Sequence, residues 1–148
     1  MGNSKQQLAK VILHIEKKIG RVTRKSGLYQ TAAWGKTDQP DFLNQVIVVE
    51  TGLPAIKIMQ TILTIETTMG RIRTEKNAPR IIDIDILFFG KQIIHEKDLV
   101  IPHPAIQVRR FVLVPLNELS PNLVHPILKK SIHQLLLKCP DKLDVKKI

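Results

Sequence analysis

Ala78-Pro79-Arg80-Ile81-Ile82-Asp83-Ile84-Asp85-Ile86-Leu87-Phe88-Phe89-Gly90 is the most apolar segment of the chain, and two carboxylates stand in its middle. A run this rich in Ile and Phe, closed by a Gly, predicts a strand whose side chains alternate between two faces. Ile82, Ile84, Ile86 and Phe88 then share one face, and Ile81, Asp83, Asp85, Leu87 and Phe89 the other. The first face is core. The second is a partly apolar wall carrying two acids roughly 7 Å apart at Cα. At an effective dielectric of about 20, like charges at that distance repel by about 2 kcal/mol, and Asp is a poor strand former besides. The pair therefore needs a positive partner. Mg²⁺ or Mn²⁺ is one candidate, because hard divalent cations take carboxylate oxygens and usually keep a substrate phosphate as a further ligand. The neighbouring Arg80 is the other, and an isolated Asp-x-Asp that merely pairs with surface cations is the ordinary alternative.

Immediately upstream, residues 71–80 hold Arg71, Arg73, Lys76 and Arg80. Such a loop is either solvated or an anion clamp able to fold over a triphosphate. A metal site beside a cationic loop is what phosphoryl transfer requires, since the protein there mainly positions groups and neutralises charge. Before this loop, Ile58, Ile62, Leu63 and Ile65 mark the apolar side of a helix that begins near Pro54, runs to about Met69 and stops at Gly70. Glu66 lies near its end, where the helix dipole disfavours an acid and a cationic partner is expected. Residues 42–51 predict a strand, with Val46, Ile47, Val48 and Val49 as a near-continuous buried run. Residues 31–41 form a polar loop long enough to be functional. Its Gly35-Lys36-Thr37 imitates the end of a P-loop, but the required first glycine would fall at Gln30 and no helix pattern follows. Residues 21–30 predict a strand with Val22, Leu28 and Tyr29 buried. In residues 5–19, Leu8, Val11, Ile12, Ile15 and Ile19 recur at helical spacing up to Gly20.

Downstream, residues 92–94 predict a short strand, and Ile101-Pro102-His103-Pro104 is a stiff segment with one imidazole between two prolines. His103 is the histidine that stands out; His14, His95, His125 and His133 read as structural or solvated. Residues 111–119 and 131–138 predict helices, the second with Ser131 as its N-cap. Helix, strand, strand, helix, strand, then C-terminal helices is the split βαβ order of an α+β, ferredoxin-like fold in which antiparallel strands carry helices, with its opening strand absent.

A length of 148 residues, 43% of them hydrophobic, fits one globular domain over residues 1–148. No apolar run approaches the ~18 residues needed to span a bilayer, and the first residues lack a secretory pattern, so a cytoplasmic protein without membrane association is expected. Gln6 stands where myristoylation wants Ser or Thr. Cys139, the single cysteine, reads as a buried or idle thiol. The net charge of +10 leaves nucleic acid, a polyanionic cofactor such as ATP, or no specific partner open, and Lys142, Lys146 and Lys147 read as a solvated tail. Only 4% of residues are aromatic, which argues against a base-stacking platform.

Ala78-Pro79-Arg80-x-x-Asp83-Ile84-Asp85-Ile86-Leu87 resembles the signature of the 6-hydroxymethyl-7,8-dihydropterin pyrophosphokinase family of the folate pathway. The resemblance extends, in order, through Asp38-Gln39-Pro40-Asp41-Phe42-Leu43-Asn44, Gly70-Arg71-Ile72-Arg73, Pro102-His103-Pro104, and Arg109-Arg110-Phe111-Val112-Leu113-Val114-Pro115-Leu116. It implies diphosphate transfer from ATP to the pterin hydroxymethyl oxygen with release of AMP and two Mg²⁺ ions; a monomer with no nucleic-acid partner is expected. By position it implies that Asp83 and Asp85 bind the metals and that Arg71, Arg73 and Arg80 lie near the transferring group. Glu66, Ile86, His103 and Arg109 would belong to the ATP site. The pterin would stack between Phe42 and Phe111, with Asn44 and the backbone of Thr31, Ala32 and Trp34 reading its edge. Ala32 and Ala33 stand where prolines are common, and Asn77 falls in the neighbourhood where some members place a Trp. Members usually begin with a strand and a Gly-Ser-Asn turn, and Met1-Gly2-Asn3-Ser4 aligns just after it. This implies either a start inside a longer natural protein or a gap filled by another segment. A basic RNA-binding module and an inactive relative are the competing expectations; the first predicts affinity falling steeply with salt.

Overall fold

The helical spacing at the start of the chain is realised in α1 (Ser4–Lys18). The computed structural model describes residues 4–31, 42–70 and 82–148. The elements that follow are β1 (Arg21–Lys25), β2 (Tyr29–Thr31), β3 (Phe42–Asn44), β4 (Ile47–Glu50), α2 (Ala55–Thr68), β5 (Ile94–Glu96), β6 (Leu99–Ile101), a 3₁₀ turn (Ile106–Val108), α3 (Arg110–Leu119), α4 (Ile132–Leu137) and β7 (Val145–Lys147). Helices with antiparallel strand pairs make the fold α+β, in keeping with the ferredoxin-like expectation. The chain divides into two compact units, Met1–Thr23 with Val48–Ile86, and Arg24–Ile47 with Leu87–Ile148.

In the first unit α1 packs on α2. α1 buries Val11 and Ile15; α2 buries Ala55, Ile58, Ile62 and Ile65, while Leu63, expected on the same side, is 46% exposed. The reason is angular: positions 58, 62 and 65 share one stripe of a 3.6-residue period, and position 63 lies 100° round from its neighbour. Each fully buried Ile contributes about 1.5–3 kcal/mol. On the solvent side Thr61, Thr64, Thr67 and Thr68 donate their hydroxyls to carbonyls four residues back. Gly70, at φ 108°, ends the helix in a conformation that suits glycine. Gly20 is required for another reason, because a Cβ there would overlap the Glu50 carbonyl.

In place of two long strands, residues 21–30 and 42–51 are each interrupted. β1 pairs with β4, and β2 with β3, but Ser26 to Leu28 and Gln45 to Val46 fall between. Ser26 explains the joint break. Its N–H donates to the Val46 carbonyl (2.8 Å), its Oγ accepts from Val46 N (3.0 Å), and its carbonyl accepts from the Gln45 side chain (2.9 Å). A side-chain hydroxyl thus replaces one rung of ladder. The expected continuous burial of residues 46–49 is not found either, since β4 alternates between half-buried and exposed positions and so has one covered face.

The second unit holds the antiparallel sheet β3-β2-β7, with Thr31 opposite Phe42 on one side and Val145 on the other. The lysine-rich end is therefore a strand rather than a solvated tail. Glu118 fastens it: one of its oxygens is 3.3 Å from Lys147 Nζ and accepts from Tyr29 Oη at 2.6 Å, and both accept from Gly27 N–H. Burial first, then this carboxylate, pushes the Tyr29 phenol up to about 12. β5 and β6 form a hairpin across Lys97-Asp98, one strand more than residues 92–94 predicted. Ser131 caps α4 as expected, in a reciprocal capping box with Gln134. Ile106, Leu113, Leu116, Ile132, Leu135 and Cys139 make the core of this unit.

Residues 82–89, in the segment expected to be a strand, form no ladder with other described residues. Apolar alternation tells which way side chains point; a strand also needs a neighbouring backbone to bond, and periodicity is silent on that. The alternation itself holds from Ile82 to Ile86, with the isoleucines half-buried and Asp83 and Asp85 exposed. It fails at Leu87 and Phe88, expected on opposite faces, because both pack against the second unit's core.

Candidate functional site

The candidate side chains fall into two groups, one in each unit. In the second unit the pairing of β2 with β3 sets Thr31 opposite Phe42 and Tyr29 opposite Asn44. Thr31, Phe42 and Asn44, with Val108, Arg109, Phe111, Asp141 and Leu143, line a cavity of about 320 Å³, a volume in the range of small-molecule sites. Phe42 is 56% exposed, an uneconomical place for a ring unless something covers it. Phe111, in the first turn of α3, carries the Arg109 guanidinium 5.7 Å from its ring centroid, a cation-π arrangement. Thr31 Oγ1 is buried and has no hydrogen-bond partner among the described residues. Buried hydroxyls are nearly always paired, so this one calls for a ligand or a water.

α3 starts without a capping side chain of its own, because its N-cap is Arg109. The orphan N–H of Arg110 is met instead by Asp141 Oδ2 at 3.1 Å, while Asp141 Oδ1 accepts from Leu143 N at 2.9 Å. Sequence reading missed Asp141, Leu143 and Val108. The usable signal was the helix start at Arg109-Arg110, which has no Ser, Thr, Asp or Asn to satisfy its first amides and so must borrow an acceptor from elsewhere.

In the first unit Glu66 is only 5% exposed, and its Oε2 accepts from Ile84 N–H at 2.9 Å. Ile84 lies between Asp83 and Asp85, so this bond fixes the backbone from which both exposed carboxylates extend. A cationic partner is expected for Glu66, and among the described residues the backbone amide of Ile84 is one of its partners. Ile86 is half-buried just beyond. The acids form no group of three or more metal-ligating side chains among the described residues.

His103 belongs to the second unit. Its N–H donates to the Leu87 carbonyl (3.0 Å), and its Nδ1 accepts from Ala105 N (3.1 Å). The neutral ring therefore carries its proton on Nε2. Arg109, expected at the nucleotide, lines the same cavity as Phe42 and Phe111. Ala32, Trp34, Arg71, Arg73 and Arg80 lie outside the described residues.

Residues 1–121 match the family model of 7,8-dihydro-6-hydroxymethylpterin-pyrophosphokinase. The 2-amino-4-hydroxy-6-hydroxymethyldihydropteridine pyrophosphokinase of Synechocystis sp. is 43% identical over 115 residues, which are 78% of this chain and 58% of that protein. The protein of the same name from Methylorubrum extorquens is 38% identical over 125 residues, 84% of this chain and 79% of its own length. The folic acid synthesis protein fol1 of Schizosaccharomyces pombe is 38% identical over 143 residues, 96% of this chain but only 20% of that protein. On the strength of a match over residues 1–121 of 148, the chain belongs to the 7,8-dihydro-6-hydroxymethylpterin-pyrophosphokinase family.

Proposed function

We propose that this chain transfers the terminal diphosphate of ATP to the hydroxymethyl oxygen of 6-hydroxymethyl-7,8-dihydropterin and releases AMP, with residues 1–148 acting as one pyrophosphokinase domain. The observation that carries the reading is the cavity holding Phe42, Phe111, Asn44 and the Thr31 hydroxyl, which has no partner among the described residues. A flat heterocycle with donors and acceptors on its edge satisfies all four: the rings take its faces, and Asn44 and Thr31 take its polar atoms. The backbone of Ala32 and Trp34 is assigned to the same edge.

In the reaction the hydroxymethyl oxygen bonds to the β-phosphorus of ATP, the bond from that phosphorus to the α,β-bridging oxygen breaks, AMP leaves with that oxygen, and the hydroxyl proton passes to solvent water. Asp83 and Asp85 are assigned to hold two Mg²⁺ ions. The donor set fits, since two exposed carboxylates two residues apart leave room for phosphate oxygens and waters, as Mg²⁺ prefers. When bound, the metal neutralises phosphate charge and favours attack on phosphorus. Glu66 holds the Asp83-to-Asp85 backbone in place through Ile84. Arg71, Arg73 and Arg80 are assigned to the phosphates, with Glu66, Ile86, His103 and Arg109 at the ATP site. A cytoplasmic monomer acting without nucleic acid or membrane completes the reading; no helix among the described residues is long and apolar enough to cross a membrane.

Mg-ATP and the pterin are incubated with the protein and AMP is followed by chromatography. AMP should form only with divalent metal and pterin both present, and Asp83→Ala or Asp85→Ala should lower the rate at least about a hundredfold, of the order that removing a group stabilising transition-state charge costs. AMP production undiminished in both variants would sink the metal assignment.

A further inference from the structure

The family match ends at residue 121, yet two of the residues lining the cavity, Asp141 and Leu143, come from beyond it. Asp141 does two things at once. Its Oδ2 accepts from Arg110 N–H, the first amide of α3, and its Oδ1 accepts from Leu143 N–H in its own segment. Arg109, the N-cap, has no side-chain acceptor to offer in its place. The carboxylate therefore acts as the α3 cap from 31 residues away in sequence and adds a negative charge at the positive end of the helix dipole. The helix turn it fixes is the one that carries Phe111, and the amide it fixes in its own segment is that of Leu143, which lines the cavity. Just past Leu143 the chain enters β7, where Val145 pairs opposite Thr31, so the same segment is anchored beside a hydroxyl that has no partner among the described residues.

We infer that Asp141 is a positioning residue for the pterin: it sets the Phe111 ring and closes the cavity with the C-terminal segment, making residues 141–145 part of the substrate site. This rests on the reading of the cavity as the pterin site. It implies a specific division of effects. The pterin and its stacking ring depend on Asp141, whereas the Asp83 and Asp85 carboxylates, which belong to the other unit, are held through Glu66.

The test is steady-state AMP formation by wild type, Asp141→Ala and Asp141→Asn, with each substrate varied in turn, together with far-UV circular dichroism. Loss of a helix cap corresponds to about a five- to tenfold change in an equilibrium. Asp141→Ala should raise the KM for pterin by about that factor, raise the KM for ATP less, since of the residues assigned to ATP only Arg109 adjoins the capped turn, and change kcat less than the pterin KM. Asp141→Asn keeps one acceptor oxygen and should fall between. Should Asp141→Ala not fold, the Asn variant carries the same comparison. Equal changes in both KM values, a fall in kcat with unaltered pterin KM, or no change would overturn the inference. Absence of AMP from the wild type would instead refute the activity itself, and pterin affinity measured from the ligand's own fluorescence would then decide whether Asp141 serves the cavity.

Discussion

Three side chains carry the account at the scale of single residues. Thr31 holds a buried hydroxyl with no partner among the described residues, which costs stability unless a ligand or a water meets it. Thr31→Val, nearly isosteric, should therefore raise thermal stability by up to about 1 kcal/mol while weakening pterin binding about tenfold. A variant that binds pterin as well as wild type would remove Thr31 from the site. Glu66 is buried and holds Ile84 N–H; Glu66→Ala leaves that amide unpaired and should cost about 1–3 kcal/mol in urea denaturation, with Glu66→Gln losing less because it retains an acceptor. His125 is buried, stands edge-on to Phe88 with ring centroids 5.6 Å apart, and accepts through Nδ1 from the amides of Ile127 and Leu128. Burial holds its pKa below the ordinary 6.5. The unfolded chain thus binds the proton more readily than the folded one, so its contribution is fully present above about pH 6.5 and is lost as pH falls from there through the lowered folded value. Denaturation midpoints taken between pH 7 and pH 5 should drop for wild type and drop less for His125→Asn, which keeps an acceptor without the titration; equal slopes would contradict this.

Among elements, helices were legible and strand pairing was not. α1, α2 and α4 follow from spacing, from Gly70 and from the Ser131 cap, all local facts written within a few residues of each other. Ladders depend on partners far away in sequence. Residues 82–86 have a strand's alternation and no ladder, residues 21–30 and 42–51 break together around Ser26, and β7 arises in a lysine-rich end with no periodicity to announce it. The site divides the same way. Phe42, Asn44, Thr31 and Phe111 were expected together and line one cavity, whereas Asp141 caps a helix from a distant segment and left no local mark. Ser26 is where the element-scale reading is most exposed to test. Ser26→Ala removes the acceptor for Val46 N–H and should destabilise by about 1–2 kcal/mol, measurable as a lowered urea midpoint at constant m-value; an unchanged midpoint would show that the hydroxyl does not hold the paired break.

For the whole molecule, a charge of +10 is a statement about the company it keeps. A triphosphate and its metal would suit that balance, and the two aromatic rings expected to stack on a ligand both line one small cavity. Mass spectrometry of the pterin after incubation with Mg-ATP reads the proposed transfer itself. The pterin should be heavier by one diphosphate group, with AMP formed in equal amount. Pterin carrying a single phosphate with ADP, or unmodified pterin with no AMP, would contradict it.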